Sequence, residues 1–394
     1  MSENDGLSRR PVYMDHHATT PVDPRVLEAM LPYFSQVFGN AASVDHEYGA
    51  KAARAVETAR QQIARLINAR HDEIIFTSGA TEADNLAILG VAEHYVDRGS
   101  HIITCVTEHK AVLDTCEYLE RKGWQVTYLP VDQQGLVDPD DVRRAITPNT
   151  VLISIMAANN EIGVLAPIAE IGRISREHEV LFHTDAAQAV GHIPIDVEAM
   201  NIDLLSMSAH KIYGPKGIGA LYVRKLRPRV RLAEQIHGGG HERGMRSGTL
   251  NVPGIVGLGR ALEIARKEMK VEGERLRGLR DRLWSELQAN LDHVDLNGHP
   301  TQRLAHNLSI AIPGVESRSL LVQLKYDVAL STGSACTTAK AEPSHVILAL
   351  GYDEDRAHCS VRFGLGRENT QADVDFILER FTAAVEQLRR LLLA

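Results

Sequence analysis

Short apolar runs alternate with amphipathic helical patterns between residues 74 and 223, and this alternation limits the fold more than any other feature of the chain. The apolar runs are EIIFTS, HIITCVT, QVTYLPV, TVLISIMAA, VLFHTDAA and IDLLSMS, followed by a strand-like AxYV. Strands and helices that alternate at these lengths predict a mostly parallel sheet with helices on both faces.

A long, highly charged helical pattern from about residue 256 to residue 289 ends this alternation. The remainder of the chain mixes short apolar runs with helical patterns, which is typical of an α+β arrangement. We therefore predict an α/β protein with two domains. The large domain covers 16–264, and the smaller α+β domain combines 1–15 with 265–394.

Polar side chains cluster where the predicted strands end. Functional sites of parallel α/β sheets lie beyond the carboxyl ends of the strands. The residues at those positions are Thr77, Ser78, Glu108, His109, Asn159, Asn160, Asp185, Ser208, His210 and Lys211. We expect the functional site to be built from them.

Lys211 follows a buried strand within SMSAHKIYGPKG, among small polar residues and glycines. Burial disfavours an ammonium ion, so a lysine here loses its proton more readily and can attack a carbonyl carbon. A solvated surface charge is the alternative for any single lysine. The SxxHK pattern and the glycines, which let backbone approach a ligand, favour Schiff-base chemistry.

A phosphate site is predicted at TSGATEADN, residues 77–85, where Gly79 and Ala80 form the turn from a strand into a helix that Thr81 opens. The unpaired N–H groups and the helix dipole attract anions at such a turn. A plain N-cap followed by an acidic first turn is the alternative. The motif is not a P-loop, because it lacks the GxxxxGK[ST] pattern.

Asp185 ends a strand in HTDAAQAVG, with Gln188 three residues later. A buried carboxylate needs a cationic partner. An arginine would form an internal ion pair, whereas a protonated pyridine nitrogen would belong to a cofactor. Lys211, a phosphate site and Asp185 are together the groups that a pyridoxal phosphate site needs.

Two histidine motifs have several interpretations. His109 follows a strand and can stack on a flat cofactor or transfer a proton, although a structural histidine is the simpler interpretation of this residue alone. The HxxxH in HGGGHERGMRSGT resembles metal-ligand spacing, but its glycines make a poor helix and no Cys, Asp or Glu cluster accompanies it. We predict no resident metal, and a loop near a phosphate or a subunit contact instead.

Cys336 and Arg362 are candidates for the reaction itself. STGSACTT presents Cys336 among glycine and small polar residues, as expected of a reactive loop thiol, with an idle loop cysteine as the alternative. Arg362 alternates with apolar neighbours in SVRFGLGR, so it leaves one face of a strand. There it binds a substrate carboxylate or forms a structural ion pair.

Charge and composition exclude several classes of protein. A net charge of −8 argues against a nucleic-acid partner, because binding phosphate backbones needs a dense basic surface. The N-terminal MSENDGLSRRPVYMD lacks the apolar core of a signal peptide, and no stretch approaches the ~20 apolar residues that span a bilayer. We therefore expect a cytoplasmic protein without a membrane partner. The four cysteines include no CxxC pair, which argues against a disulfide framework.

Taken together, the motifs resemble one family, the IscS/NifS cysteine desulfurases, which are pyridoxal phosphate enzymes of aminotransferase fold type I in the class-V group. The matching motifs are TSGATEADN, TEHKAVLDTC, NNEIG, HTDAAQ, SAHKIYGPKG, HGGGHERGMRSGT, STGSACTT and SVRFGLGR. The resemblance extends from about Tyr13 to Arg367, and STGSACTT is similar to the loop of the IscS-like subgroup.

The resemblance implies which residues bind the cofactor, pyridoxal phosphate. Lys211 forms the Schiff base, Asp185 pairs with the pyridine nitrogen, and His109 stacks on the ring. Gln188 and Asn160 contact the side of the ring. The residues implied for the phosphate are Ala80, Thr81, Ser208, His210 and, across a dimer interface, Thr249.

The resemblance also implies the reaction, which converts L-cysteine to L-alanine and leaves sulfur on Cys336 as a persulfide. Arg362 and Asn160 bind the substrate, Lys211 and Cys336 are catalytic, and His109 is a candidate proton carrier. The sulfur supplies iron–sulfur cluster assembly, with tRNA thiolation as a further route. The implied partners are a second copy of the chain and a scaffold protein or other sulfur acceptor, and Cys336 is a contact for a transferred cluster.

The chain departs from the family pattern at two places. Ala41 replaces a common proline in FGNAAS, and His16 and His17 replace a tyrosine–serine type of pair in MDHHATTP. A selenocysteine lyase or an aminotransferase on the same fold is the first alternative function. Cys336 discriminates here, because transamination needs no thiol. A sulfur-delivery protein without activity of its own and a metal-binding protein that uses HGGGH are alternatives from other classes.

Overall fold

The computed structural model describes residues 11–332 and 342–393, and a seven-stranded sheet lies at its centre. After the short β1 (Val12–Tyr13), the strands of this sheet are β2 (Ile74–Thr77), β3 (His101–Cys105), β4 (Gln125–Leu129), β5 (Thr150–Ser154), β6 (Leu181–Asp185), β7 (Leu204–Ser208) and β8 (Gly219–Val223). They lie in the order β2–β8–β7–β6–β5–β3–β4, and only β8 is antiparallel to its neighbours. The prediction of a mostly parallel sheet is confirmed.

β8 is antiparallel because its connection to β7 is short. Ser208 and Gly219 pair across the two strands, and the chain between them contains a 3₁₀ turn at Ala209–Lys211 instead of a crossover helix. A Cβ at Gly219 would lie 2.5 Å from the Met207 oxygen and 2.7 Å from the Gly79 Cα, so only glycine fits. This close packing holds the Lys211 turn beside the start of the helix Ala80–His94, whose N-cap is Gly79.

Helices cover both faces of the sheet. Their bounds are α1 (Pro24–Met30), α2 (Pro32–Ser35), α3 (Glu47–Leu66), α4 (Ala80–His94), α5 (Lys110–Arg121), α6 (Pro139–Ala145) and α7 (Ile168–Glu177). Alternate residues of each strand face opposite sides, so Ile102 packs with α4 and α5 whereas Ile103 packs with α3, α6 and α7. The strands are apolar throughout because both faces are buried.

Most of the remaining elements form a second apolar cluster. The remaining elements are α8 (Val252–Asn290), β9 (Asp295–Leu296), β10 (Asn307–Ala311), α9 (Ser317–Leu324), β11 (Val328–Ala329), α10 (His345–Ala349), α11 (Glu354–His358), β12 (Ser360–Gly364) and α12 (Gln371–Leu393). Of these, α10 and α11 pack instead in a small separate cluster with Ile162 and Val164. β10 is the central strand of an antiparallel sheet with β9 and β12, and β1 pairs with β11.

The helix α8, with 39 residues, belongs to both clusters. Its first part packs on the large sheet through Ile255, Leu258 and Leu262, and its last part packs on β10 and α12 through Leu283 and Leu287. Despite this length, no helix in the described ranges is apolar over enough of its length to cross a bilayer.

Candidate active site

A cavity of about 800 Å³ lies beyond the carboxyl ends of the central strands, and most of the predicted site residues line it. Those residues are Ala80, Thr81, His109, Asn160, Asp185, Gln188, Ser208, His210, Lys211 and Arg362. Thr249 does not line this cavity, and its side chain is exposed. Cys336 lies outside the described residues.

Lys211 reaches the cavity from the turn after β7. Its Nζ donates hydrogen bonds to the backbone oxygens of Ala18, at 2.9 Å, and of His17. Burial, together with the positive charge of Arg362, lowers the pKa of this amine to about 8. A substantial fraction of the amine is therefore neutral, and nucleophilic, slightly above neutral pH.

Asp185 ends β6 beside β7, where it pairs in register with Ser206. Its carboxylate accepts a hydrogen bond from the Ala187 N–H at 2.9 Å. The internal ion pair with an arginine, which the sequence left open, is not formed within the part of the chain that the structure describes. Burial raises the pKa of Asp185, whereas the nearby His109 opposes this rise. Within the described residues this buried acid therefore forms no ion pair, although the charge of Lys211 acts on it.

Two further buried carboxyl groups lie near Asp185. The oxygens of Asp84 in α4 have no hydrogen-bond partner among the described residues, and the Nε2 of His183 is 3.6 Å away. Glu108 accepts a hydrogen bond from the Met156 N–H at 2.6 Å. Burial raises the pKa of both groups, and the charge of Asp185 adds to the effect. A raised pKa favours the neutral form of both acids, and of the three carboxyl groups only Asp185 lines the cavity.

The start of α4 is open to the cavity. Gly79 is the N-cap of this helix and supplies no side chain to cap the first N–H groups. The alternative to a phosphate site is a plain N-cap followed by an acidic first turn. Glu82 in that turn accepts a hydrogen bond from the Ser78 N–H and forms an ion pair with Arg246. Burial lowers the pKa of His210 to about 4, so its imidazole is neutral at pH 7. Free amides and a helix dipole make this end of the cavity suitable for a phosphate.

His109 is the N-cap of α5. Its Nδ1 accepts a hydrogen bond from the Ala111 N–H at 3.1 Å, so the neutral ring carries its proton on Nε2. The ring is thereby fixed in the wall of the cavity. This geometry is compatible with both of the roles considered for His109, stacking and proton transfer.

Arg362 lies in β12, at the edge of the second cluster. Its Nη1 donates to the Asn160 oxygen at 2.7 Å and its Nη2 to the Asp15 carboxylate at 2.9 Å. The guanidinium forms an ion pair with Asp15 and also lines the cavity. The structural ion pair therefore does not prevent Arg362 from facing a substrate carboxylate. Its Nε is buried and has no hydrogen-bond partner within the described residues.

The other cysteines and the HxxxH motif lie outside the cavity lining. Burial raises the pKa of Cys105 to about 11 and that of Cys116 to about 12, so neither is a ready thiolate. In the HxxxH motif, His237 pairs with the exposed Glu234, and the Nδ1 of His241 accepts the Gly248 N–H. Each imidazole therefore has a local hydrogen-bond partner.

Sequence reasoning did not select Asp15 as a site residue, and it treated His17 only as a departure from the family pattern. Both line the cavity, Asp15 through its ion pair with Arg362 and His17 beside Lys211 and Gln188. The signal that was available is the MDHHATT segment, which combines an acid with two histidines after a strand. It gave no indication of the distant residues that these side chains contact.

The arrangement fits pyridoxal phosphate on chemical grounds. A lysine amine with a lowered pKa suits its aldehyde, a buried acid that forms no ion pair within the described residues suits its protonated ring nitrogen, and an uncapped helix start suits its phosphate. Lys211, Asp185 and Gly79 provide these three features around one cavity.

Comparison with known proteins gives consistent similarities over almost the whole chain. The family model Aminotransferase class-V matches residues 12–377. "Cysteine desulfurase IscS" from Anaeromyxobacter dehalogenans (strain 2CP-C) is 56% identical over 381 residues, which cover 97% of this chain and 94% of the relative. The protein of the same name from Acinetobacter baumannii (strain AYE) is 55% identical over 386 residues, with 97% and 95% covered.

Solved structures agree with this result. A NifS-like protein superposes with a TM-score of 0.89 at 39% identity, covering 96% of this chain and all 100% of its own. The structure "SspA in complex with cysteine" superposes with a TM-score of 0.79 at 40% identity, covering 90% of this chain and 98% of that one.

Proposed function

We propose how this chain works from one premise: it belongs to the class-V aminotransferase family, as a cysteine desulfurase of the IscS/NifS type. The reaction that follows converts L-cysteine to L-alanine and retains the sulfur on a protein thiol. The observation that carries the proposal is that Lys211, Asp185 and Arg362 line one cavity. These residues supply an amine, an acid and a carboxylate-binding cation.

Pyridoxal phosphate is the proposed cofactor, held covalently by Lys211. These residues line the cavity: Asp185 would pair with the ring nitrogen, His109 would stack on the ring, and Gln188 and Asn160 would contact its side. The proposed phosphate ligands are Ala80, Thr81, Ser208, His210 and the Thr249 of a second copy. When bound, the cofactor supplies an electron sink for the bond changes at the substrate α-carbon.

The rate at which the cofactor-free protein binds pyridoxal phosphate covalently should depend on pH through Lys211. The pKa of this amine is lowered from 10.5 to about 8, and only the neutral form is nucleophilic. We expect the rate to rise about tenfold per pH unit below pH 8 and to level off above it. Stopped-flow absorbance between pH 6 and pH 10 measures this, and a rate that still rises at pH 9.5 would contradict the shift.

Substrate binding is proposed at Arg362. The guanidinium already binds Asp15 and the Asn160 oxygen, so it is held in place before a ligand arrives. A substrate carboxylate in the cavity can share the guanidinium cation with Asp15. Lys211 lines the same cavity as Arg362, and its Nζ would take the proton from the substrate α-carbon.

Cys336 is the proposed sulfur acceptor. Its thiolate attacks the substrate sulfur, so that an S–S bond forms as the substrate C–S bond breaks. The electron pair of the broken bond remains with the carbon skeleton, which is protonated to alanine. Thr332, which lines the cavity, precedes Cys336 by four residues in the sequence.

The test compares alanine release from L-cysteine by the wild type and by Cys336→Ala, with dithiothreitol present to remove the persulfide. We expect the variant to lose at least about 10²-fold in rate, because it has no nucleophile for sulfur. Cys359→Ala is the matched control, since Cys359 is half-buried and outside the cavity lining. Equal rates for wild type and Cys336→Ala would remove Cys336 from the mechanism, and no alanine from either would favour the aminotransferase alternative.

A homodimer is part of the proposal. Five large apolar side chains between residues 31 and 48 are more than half exposed, among them Phe34 at 60% and Phe38 at 63%. A monomer rarely leaves such a patch uncovered. A second copy seated there is also the source from which Thr249 would complete the phosphate site, since it does not line the cavity of its own chain.

The physiological role that we propose is sulfur supply to an iron–sulfur scaffold protein or another acceptor, including tRNA thiolation, in the cytoplasm. The name shared by the curated relatives supports this role, and the structure of SspA with cysteine supports the substrate. We also propose the division into a 16–264 domain and a domain of 1–15 with 265–394, which the two apolar clusters support. The smaller domain would carry the Cys336 loop.

A further inference from the structure

We propose that His17 is a positioning residue that orients the side-chain amide of Gln188, so that one amide N–H faces the cavity. His17 is one of the two histidines that depart from the family pattern, and it is 1% exposed. The direction of the amide follows from this chain's own hydrogen bonds. The ligand that the N–H meets rests on the proposed function.

The hydrogen-bond chain begins at Arg303. Burial lowers the pKa of its guanidinium to about 9, so the group stays charged at pH 7 and can only donate. Its Nη2 donates to Asn307 Oδ1 at 2.8 Å and to the Ile162 oxygen at 2.8 Å. The oxygen of the Asn307 amide must therefore face Arg303, which directs the nitrogen of that amide the other way.

Asn307 determines which nitrogen of His17 carries a proton. Its Nδ2 lies 3.1 Å from His17 Nε2 and 3.1 Å from the Glu161 oxygen, so both amide hydrogens are used. His17 Nε2 accepts one of them and is unprotonated. Burial lowers the pKa of His17 well below its ordinary value, and the charges of Arg362 and Lys211 lower it further. The ring is neutral, so its single proton is on Nδ1.

His17 then determines the direction of Gln188. The Nδ1–H of His17 donates to Gln188 Oε1 at 3.0 Å, and Gln188 Nε2 donates to the His17 backbone oxygen at 3.0 Å. The amide is thus bound to one residue through both its oxygen and its nitrogen. One N–H of Gln188 remains, and Gln188 lines the cavity.

Packing holds the ring of His17 in this position. The ring of His306 stacks on it with centroids 4.5 Å apart and an interplanar angle of 20°. Asn307 is confined from the other side by Gly163, where a Cβ would lie 2.4 Å from the Asn307 Cγ. An imidazole suits this place because its two nitrogens contact groups on opposite sides, which a single hydroxyl cannot do.

A fixed N–H donor has a chemical consequence for the proposed cofactor. The ring of pyridoxal phosphate carries an oxygen on the carbon adjacent to the one that bears the aldehyde, and the aldehyde carbon bonds to the lysine. An N–H aimed at this oxygen stabilises its negative charge, which lowers the pH at which the cofactor-bound lysine nitrogen loses its proton. That proton loss changes the visible absorption of the bound cofactor, so the donor can be followed by a spectrum.

The first test is a double-mutant cycle on the holoenzyme with His17→Leu, Gln188→Leu and the double variant. The readout is the pH midpoint of the visible absorption change. We expect His17→Leu to raise the midpoint by about 0.4–1 pH unit, as the loss of one hydrogen bond predicts. In the Gln188→Leu background the same change should add less than about 0.2 unit, because His17 acts through Gln188.

The control is His306→Phe, which keeps the stacking on His17 but lies outside the hydrogen-bond chain. We expect its midpoint to stay within about 0.2 unit of the wild type. The charged groups near Gln188, namely Lys211, Asp185 and Arg362, are the same in every variant. Shifts of His17→Leu and Gln188→Leu that simply add, or no shift for His17→Leu, would overturn the proposal.

A second measurement needs no variant that could fail to fold. In the cofactor-free wild type, ¹⁵N NMR of labelled histidines should show His17 with a protonated Nδ1 and an unprotonated Nε2. The reverse tautomer or a charged ring would overturn the proposal. Neither result depends on turnover, so a wild type that binds cofactor but releases no alanine would contradict the proposed function alone.

Discussion

Replacing Lys211 by alanine is expected to abolish the absorption of covalently bound pyridoxal phosphate and to lower alanine formation by at least about 10³-fold. The amine has two proposed tasks, since it binds the cofactor and takes the Cα proton. Its lowered pKa, about 8, suits both tasks. The absorption spectrum of the dialysed protein and the rate of alanine release from L-cysteine measure the two effects separately.

Lys216→Ala is the matched control for this prediction. Lys216 lines the same cavity, but its side chain is exposed, so its amine is solvated. We expect this variant to keep the covalent cofactor and most of the activity. Lys211→Ala with an unchanged spectrum, or a loss of the cofactor bond in Lys216→Ala instead, would show that the assignment of the lysine is wrong.

Replacing Asp185 by asparagine should have opposite effects on the cofactor-free and cofactor-bound forms. In the bound form the variant loses a buried ion pair, which costs about 3–5 kcal/mol, and activity falls by about 10²- to 10⁴-fold. In the cofactor-free form burial raises the pKa of Asp185, so ionisation of this carboxyl destabilises the fold. That destabilisation is absent below the unfolded pKa and grows as the pH rises toward the folded pKa.

The cofactor-free Asp185→Asn protein should therefore melt about 1–3 °C higher than the wild type at pH 7, and the cofactor-bound variant should melt lower than its wild-type counterpart. Differential scanning calorimetry of both forms measures these opposite shifts in melting temperature. Asp84→Asn, which removes a buried acid outside the cavity lining, is the control and should stabilise both forms. A change of the same sign in both forms of Asp185→Asn would argue against a cation bound at this carboxylate.

The residues at strand ends were the most predictable part of the site. Lys211 and Asp185 follow β7 and β6, and a mostly parallel sheet brings such ends together whatever the details of packing. The family resemblance then suggested a role for each. Sequence reasoning could therefore select the residues of the cavity before their distances were known.

Partners separated by most of the chain were not predictable in this way. Asp15 binds Arg362 across 347 positions, and His17 meets Asn307 across 290. Local periodicity contains no information on such pairs, because they depend on how the second cluster closes against the first. The sequence patterns also did not predict that β8 is antiparallel, because its direction results from the compact Lys211 turn.

The length of α8 has a consequence for how the protein unfolds. Its 39 residues extend about 58 Å, and the same rod supplies packing surface to the large sheet and to the β10 cluster. If this helix unwinds in one cluster, its side chains lose their alignment for packing in the other cluster. The free energy of opening either cluster therefore includes part of the free energy of opening its neighbour, so the two resist partial unfolding as one cooperative unit.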